Sequence, residues 1–273
     1  MTPSRSDARP ARRYAVLLAL GVTLLAGLAT SVGGVIGTRS RMVRPGAMAV
    51  ALAFAAGLMM TISLVEIAPA ALDSMTRALG RGTAVLAVLG AMTLGAGVVL
   101  ALRRLLPHRP APGVPDVRGL DPTLLRSGVL IAVVVTLHNL PEGLATFLST
   151  VEDPAGGMVL ALAIAIHNVP EGLAVAAPIY VATRNRTQAM LWATLSGLAE
   201  PAGGLLGYLA LRALLPPAWL DLSLALVAGM MIAVSLLELV PGARRYAVGH
   251  REVLVGLFLG AVVMVVSLAL LRR

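Results

Sequence analysis

The chain has 273 residues, of which 58% are hydrophobic and only 13% are charged, and its mean hydropathy is +0.88. Soluble domains carry about 25% charged residues and need a polar surface, so this composition excludes an ordinary soluble protein and indicates a protein embedded in lipid. The formal net charge of +9 comes from arginine without lysine, and the absence of cysteine excludes disulfides and thiolate metal sites.

Eight apolar runs follow one another along the chain, separated by short clusters of Arg, Pro or Gly. They lie at about 14–38, 45–69, 82–106, 124–148, 157–181, 188–213, 220–241 and 252–271. Each is long enough to cross the bilayer as a helix, which takes about 20 residues. The alternation of a barrel strand is absent. We therefore expect a single polytopic all-α membrane domain over residues 1–273, with eight transmembrane helices and a break that begins at Asp73.

The arginines are distributed unevenly between the connectors. Thirteen of the 22 lie in the connectors 1–2, 3–4, 5–6 and 7–8, three lie in the other connectors, and the remaining six lie in the two tails. The positive-inside rule then places the first set in the cytoplasm and both termini on the outer, periplasmic side of a bacterial inner membrane. Because the arginines lie in connectors and tails rather than on a soluble face, they also argue against a nucleic-acid partner, and we expect the lipid bilayer as the partner.

The ends of the chain resemble each other. Residues 27–37 match 197–207, and residues 55–69 match 227–241, so span 1 resembles span 6 and span 2 resembles span 7. An offset of five spans reverses the direction of the matched helices. The sequence therefore predicts a 3 + 2 + 3 inverted repeat, a pattern typical of transporters with a site near the middle of the membrane.

The fourth and fifth spans share a polar motif. HNLPEGLA at 138–145 recurs as HNVPEGLA at 167–174, with one of eight positions changed. In each copy the His, Asn and Glu lie on one helical face, and the internal proline frees a carbonyl one turn earlier and predicts a bend. Both motifs lie about 14 to 15 residues from the turn at Asp153, which places them at the same depth within about 2 Å. Glu200 adds a carboxylate in span 6.

These polar groups predict a metal site. A carboxylate at the centre of the bilayer costs about 2.5–3.5 kcal/mol on insertion scales, and no arginine lies mid-span to compensate it. A mixture of imidazole, carboxylate and amide ligands suits Zn²⁺, Fe²⁺, Mn²⁺ or Co²⁺ better than Cu⁺. Seven candidates exceed the four ligands of one tetrahedral zinc, so we expect two ions bridged by Glu142 and Glu171. The candidate metal ligands are His138, Asn139, Glu142, His167, Asn168, Glu171 and Glu200.

The segments HNLPEGLATFLS, HNVPEGLAVAAPIY and SGLAEPAGG resemble those of the ZIP (Zrt/Irt-like) metal transporters, most closely the bacterial zinc-uptake type. The resemblance runs over essentially the whole chain. It implies the eight-span 3 + 2 + 3 fold and uptake of zinc, and also of iron, manganese, cobalt and cadmium, into the cytoplasm. In that family the histidines and glutamates of both motifs form one site, which implies His138, Glu142, His167 and Glu171. The asparagines, the same glutamates and the span-6 glutamate form the second, which implies Asn139, Asn168 and Glu200.

Two other functional classes fit less well. An intramembrane metalloenzyme would need a hydrolytic motif such as HExxH, which is absent, so we expect no enzyme. A proton-coupled carrier of organic solutes would need aromatic specificity contacts, but aromatic residues make up only 3% of the chain. We expect no prosthetic group, only the transported divalent ions. The sequence is compatible with a homodimer as well as with a monomer. Glu66 and Glu238, near span ends, are interpreted as structural or access residues or as transient metal contacts.

Overall fold

The computed structural model describes residues 8–105, 122–210 and 217–271, and the regular structure in these ranges is entirely helical. The proline-rich connector with His108 lies almost wholly outside the described residues. The helices are α1 (Ala8–Gly37), α2 (Pro45–Ile62), α3 (Ala68–Leu79), α4 (Arg81–Leu105), α5 (Pro122–Glu152), α6 (Pro154–Thr183), α7 (Arg186–Ala210), α8 (Pro217–Val234), α9 (Val240–Tyr246) and α10 (His250–Leu271).

Two pairs of these helices form continuous rods through a π-helical turn. Ser63–Ile67 joins α2 to α3, and Ser235–Leu239 joins α8 to α9. Each turn carries a glutamate, Glu66 in the first and Glu238 in the second. A single π turn inside an α-helix is often found at a functional site. The two turns occupy equivalent places in the repeat, so the feature belongs to both halves of the protein.

The break predicted to begin at Asp73 is wrong. The rod α2–α3 continues to Leu79, because Ala71 and Met75 lie four residues apart and are buried on one face of α3. The chain turns only at Gly80, whose φ of 79° is accessible to glycine at little cost. Asp73 is exposed, as expected, but it lies on a helix rather than in a loop.

Seven helical rods among the described residues are long and apolar enough to cross a membrane. The eighth rod, α7, has 25 residues but is more polar, since it carries Ser196 and Glu200, which are both fully buried. Its polar residues point into the bundle rather than toward lipid. The all-α membrane fold with eight transmembrane helices is confirmed.

The packing shows the predicted inverted repeat. Helix α1 packs along α6 as α7 packs along α5, and α10 packs along α2 as α4 packs along α8. The close approaches are equivalent too: a Cβ added to Gly33 would collide with the carbonyl oxygen of Val169, and one added to Gly203 with that of Leu140. Small residues allow such backbone contact between membrane helices. The 3 + 2 + 3 arrangement is therefore confirmed.

The helices divide into two groups. Helices α1, α5, α6 and α7 pack mainly against one another, and we call them the inner group. The rods α2–α3, α4, α8–α9 and α10 pack mainly against one another and form the outer group. The central hairpin α5–α6 turns at Asp153, whose side chain accepts a hydrogen bond from the Ala155 N–H at 3.1 Å. Both helices continue through their internal prolines, and the predicted bends stay predictions.

Candidate metal centre

The two copies of the motif lie side by side and pair crosswise. His138 Nε2 lies 3.1 Å from both carboxylate oxygens of Glu171. His167 Nε2 lies 3.3 Å from Oε1 and 3.4 Å from Oε2 of Glu142. None of these four residues is more than 4% exposed. A carboxylate can only accept, so the Nε2 atom of each ring carries the shared proton. The structure thus brings both His–Glu pairs to one level between α5 and α6.

The two asparagines are held by the flanking helices. Asn139 Nδ2 donates to the carbonyl oxygen of Ser196 in α7 at 2.8 Å. Asn168 Nδ2 donates to the carbonyl oxygen of Ala26 in α1 at 2.9 Å. The Oδ1 atoms of both asparagines are buried and have no hydrogen-bond partner among the described residues. Each amide is therefore oriented by its nitrogen, while its oxygen stays available to a cation.

Glu200 extends the cluster on one side only. It is fully buried in α7, and its Oε1 accepts a hydrogen bond from Asn168 Nδ2. Its other oxygen, Oε2, is buried without a hydrogen-bond partner in the described part of the chain. The equivalent position in the first half of the repeat is Thr30, which is buried but uncharged. The centre therefore combines a symmetric His–Glu core with a third carboxylate beside Asn168.

A cavity of about 370 Å³ reaches one of the two pairs. Glu142 and His167 lie in its wall, together with Glu66 and mainly apolar side chains. Gly156, just after the α5–α6 turn, also lines the cavity, so the cavity lies toward the face of the membrane at which that turn is located. This is the side that the arginine distribution predicts to be outside. The pair His138–Glu171, the asparagines and Glu200 do not line the cavity.

The seven predicted residues form two pairs and an attached cluster rather than one ring of ligands. Within the described ranges, no three His, Asp or Glu side chains converge closely enough to hold an ion by themselves. Amide oxygens or small side-chain rotations would have to complete a coordination shell. The sequence did not reveal that the carbonyl oxygens of Ser196 and Ala26 accept hydrogen bonds from the asparagines, although these two residues directly precede the matched segments at 197–207 and 27–37.

The part of the chain that holds all seven residues matches a known family. The family model described as ZIP Zinc transporter matches residues 122–268, from the start of α5 into α10. The chain belongs to the ZIP family. Similar ZIP proteins cover nearly the whole chain. The zinc transporter ZupT of Corynebacterium glutamicum is 44% identical over 263 residues, which are 93% of this chain and 99% of that protein.

Two further ZIP relatives come from distant bacteria. The zinc transporter ZupT of Chlorobaculum parvum is 42% identical over 263 residues, covering 93% of this chain and 98% of that protein. The protein of the same name from Lysinibacillus sphaericus is 42% identical over 265 residues, covering 94% and 98%. The resemblance predicted from the paired motif is thus confirmed over both halves of the repeat.

Proposed function

We propose that this ZIP chain carries divalent transition-metal ions, zinc foremost, into the cytoplasm through a binuclear site. The ligands are His138, Asn139, Glu142, His167, Asn168, Glu171 and Glu200. One observation carries the proposal: two buried His–Glu pairs cross between neighbouring helices, beside buried oxygens that lack hydrogen-bond donors among the described residues. The similar ZIP proteins are named zinc transporters, which fits the same cargo.

The distances within the pairs suit a shared metal ion. Zinc binds imidazole nitrogen and carboxylate oxygen at about 2.0–2.2 Å, so two ligands at a tetrahedral angle lie about 3.3–3.5 Å apart. The N–O separation is 3.1 Å in the His138–Glu171 pair and 3.3 Å in the His167–Glu142 pair. A metal ion could therefore replace the shared proton of either pair with little side-chain movement.

The charges favour passage over permanent binding. Glu142, Glu171 and Glu200 supply three negative charges, and neutral imidazoles and amides supply none. One divalent ion leaves the centre negative, which favours occupation, whereas two ions leave it positive by one charge. The second ion therefore weakens the binding of the first, as conduction through adjacent sites requires. The same ligand set accepts Fe²⁺, Mn²⁺, Co²⁺ and Cd²⁺ as well as Zn²⁺.

The cavity and the arginines support transport from the outside into the cytoplasm. The cavity at Glu142 and His167 lies toward the side that holds few arginines, which is the outer side by the positive-inside rule. Ions would reach this pair first and pass to His138–Glu171 and Glu200. The chain would lie in a bacterial inner membrane with both termini in the periplasm.

Zinc uptake into proteoliposomes with an enclosed fluorescent zinc indicator tests the proposal. Glu142→Ala and His167→Ala should each reduce uptake to the rate of protein-free liposomes, because each removes one ligand of the accessible pair. Glu152→Ala, at the exposed end of the same helix α5, is the matched control and should keep normal uptake. Normal uptake by both site variants, at equal insertion into the liposomes, would refute the site.

A further inference from the structure

The two π-turn glutamates occupy equivalent positions of the repeat but differ in their surroundings. Glu66 is half-buried and lines the cavity of about 370 Å³ that reaches Glu142 and His167. Glu238 is only 6% exposed, and its Oε1 lies 3.0 Å from Nε of Arg103, at the end of α4. Its other oxygen accepts a hydrogen bond from the Ser127 hydroxyl of α5. Glu66 thus faces a cavity, whereas Glu238 is held by an ion pair and a hydrogen bond.

The described side chains around the two glutamates differ in charge. The space beside Glu238 is about 100 Å³, and Arg103, Arg126 and Arg245 all line it. The described lining of this space therefore holds three guanidinium groups and one carboxylate. The Glu66 cavity contains the carboxylates of Glu66 and Glu142 and no arginine among its described lining residues. In this conformation the carboxylates of the Glu66 cavity attract a cation, whereas Arg103 already occupies the Glu238 carboxylate.

The contacts at Glu238 join the inner and outer helix groups. Ser127 of α5 belongs to the inner group, and Glu238, in the turn between α8 and α9, belongs to the outer group. Arg126 of α5 donates a hydrogen bond to the carbonyl oxygen of Arg103 in α4, which also crosses that boundary. Any relative movement of the two groups that opens this side must break these contacts.

We propose that Arg103 is a tethered cation that latches the cytoplasmic end of the transport path by occupying Glu238. Opening the latch separates the guanidinium from the carboxylate, lets Glu238 release Ser127 of the inner group, and exposes Glu238 as the last carboxylate a departing metal ion meets. The inference rests on the proposed function for the identity of the ion. The latch itself controls access to the transport path, so it can be tested without metal.

Because the chain has no cysteine, single cysteines can report access directly. Ile131→Cys lies in the wall of the latched space, and Ala145→Cys lies in the wall of the Glu66 cavity. Each reporter is combined with Arg103→Ala or with the control Arg104→Ala, whose exposed side chain is the neighbour on α4. A membrane-impermeant thiol reagent is then applied to each side of oriented vesicles.

Arg103→Ala should increase labelling of Ile131→Cys from the cytoplasmic side by about fivefold or more, a typical coupling between two conformations. It should also decrease labelling of Ala145→Cys from the outer side. Arg104→Ala should change neither rate. If Arg103→Ala folds poorly, Glu238→Gln removes the same ion pair, and the exchange Arg103→Glu with Glu238→Arg should restore parental labelling.

Equal labelling rates in the parent, Arg103→Ala and Glu238→Gln backgrounds would overturn the latch. Failure of the latch differs visibly from failure of the proposed function. If uptake persists in Glu142→Ala but the labelling rates change as expected, the metal site is wrong and the latch stands. If uptake is lost in Glu142→Ala but labelling is unchanged, the reverse holds.

Discussion

Gly143 lies directly after the ligand Glu142 and sets the distance between α5 and α7. A Cβ added at this position would collide with the backbone carbonyl of Glu200. Ordinary contacts of a Cβ lie at 3.4–4 Å, so Gly143→Ala must separate the two helices by about 1 Å or more. The hydrogen bond from Asn139 to Ser196 in the same helix pair, now 2.8 Å long, would then exceed the 3.5 Å limit.

The expected cost has two parts. Overpacking of a tight contact costs about 1–3 kcal/mol. Leaving the buried Asn139 amide without its acceptor costs about 1–3 kcal/mol more. We therefore expect Gly143→Ala to lower the free energy of unfolding by about 2–6 kcal/mol and to reduce zinc uptake, because Asn139 and Glu200 lose their relative positions.

Thermal unfolding in detergent and zinc uptake per inserted molecule measure the two effects. Gly97→Ala in α4 is the matched control, since a Cβ there meets nothing within 4 Å. It should be neutral or stabilising by up to about 1 kcal/mol, because alanine is the better helix former. Equal melting temperatures and equal uptake in the two variants would show that the α5–α7 contact does not position the site.

Three further predictions test separate parts of the structure. Glu66→Gln should slow uptake at low zinc concentration more than at saturation, because it removes one of the two carboxylates of the cavity; an unchanged concentration dependence would argue against a role in access. Glu200→Gln should lower the number of zinc ions bound per purified chain, measured by calorimetry, because it removes the charge beside Asn168; unchanged stoichiometry would remove Glu200 from the site. Gly80→Ala should lower the melting temperature at a cost of about 1–3 kcal/mol, since φ 79° with ψ 156° is a conformation that essentially only glycine adopts, whereas Gly82→Ala should not; equal melting temperatures would contradict the turn.

The sequence predicted much of this architecture because its strongest signals are local or repeated. The motif at 138–145 and its copy at 167–174 lie 15 residues before and 14 residues after Asp153, so their similar depth followed from helix geometry alone. The inverted repeat followed from the similarity of the outer spans. Both features depend on rise per residue and chain direction, which the sequence determines directly.

The pairing within the site could not be predicted in the same way. Whether His138 meets Glu171 or its own helical neighbour Glu142 depends on the rotation of α5 and α6 about their axes, which packing against α1 and α7 decides. The asparagines donate to backbone carbonyl oxygens, which every residue carries, so no residue type in the sequence identifies those acceptors. Arg103 was counted only as a connector charge, since nothing in the sequence shows that its side chain reaches Glu238 of the rod α8–α9.

The other half of the repeat has a leucine at the position equivalent to Arg103, so the role of the arginine can be tested by placing a second arginine there. A Cβ on Gly229 would meet the Met92 carbonyl, and one on the equivalent Gly57 would meet the Leu257 carbonyl. Met92 of α4 therefore corresponds to Leu257 of α10, and by the same spacing Arg103 corresponds to Leu268. Leu268 lines the cavity that contains Glu66, just as Arg103 lines the space that contains Glu238.

Leu268→Arg should therefore place a guanidinium beside Glu66 and close the outer cavity. We expect zinc uptake to fall to the background rate and labelling of Ala145→Cys from outside to fall by about fivefold or more. Leu268→Gln, which is polar but uncharged, should keep most of the uptake. A second change, Glu66→Gln, removes the carboxylate partner and should restore outside labelling of Ala145→Cys. If Leu268→Arg transports and labels like Leu268→Gln, an arginine beside Glu66 does not control access. That result would contradict the latch at Arg103 as well, because the two positions are equivalent in the repeat.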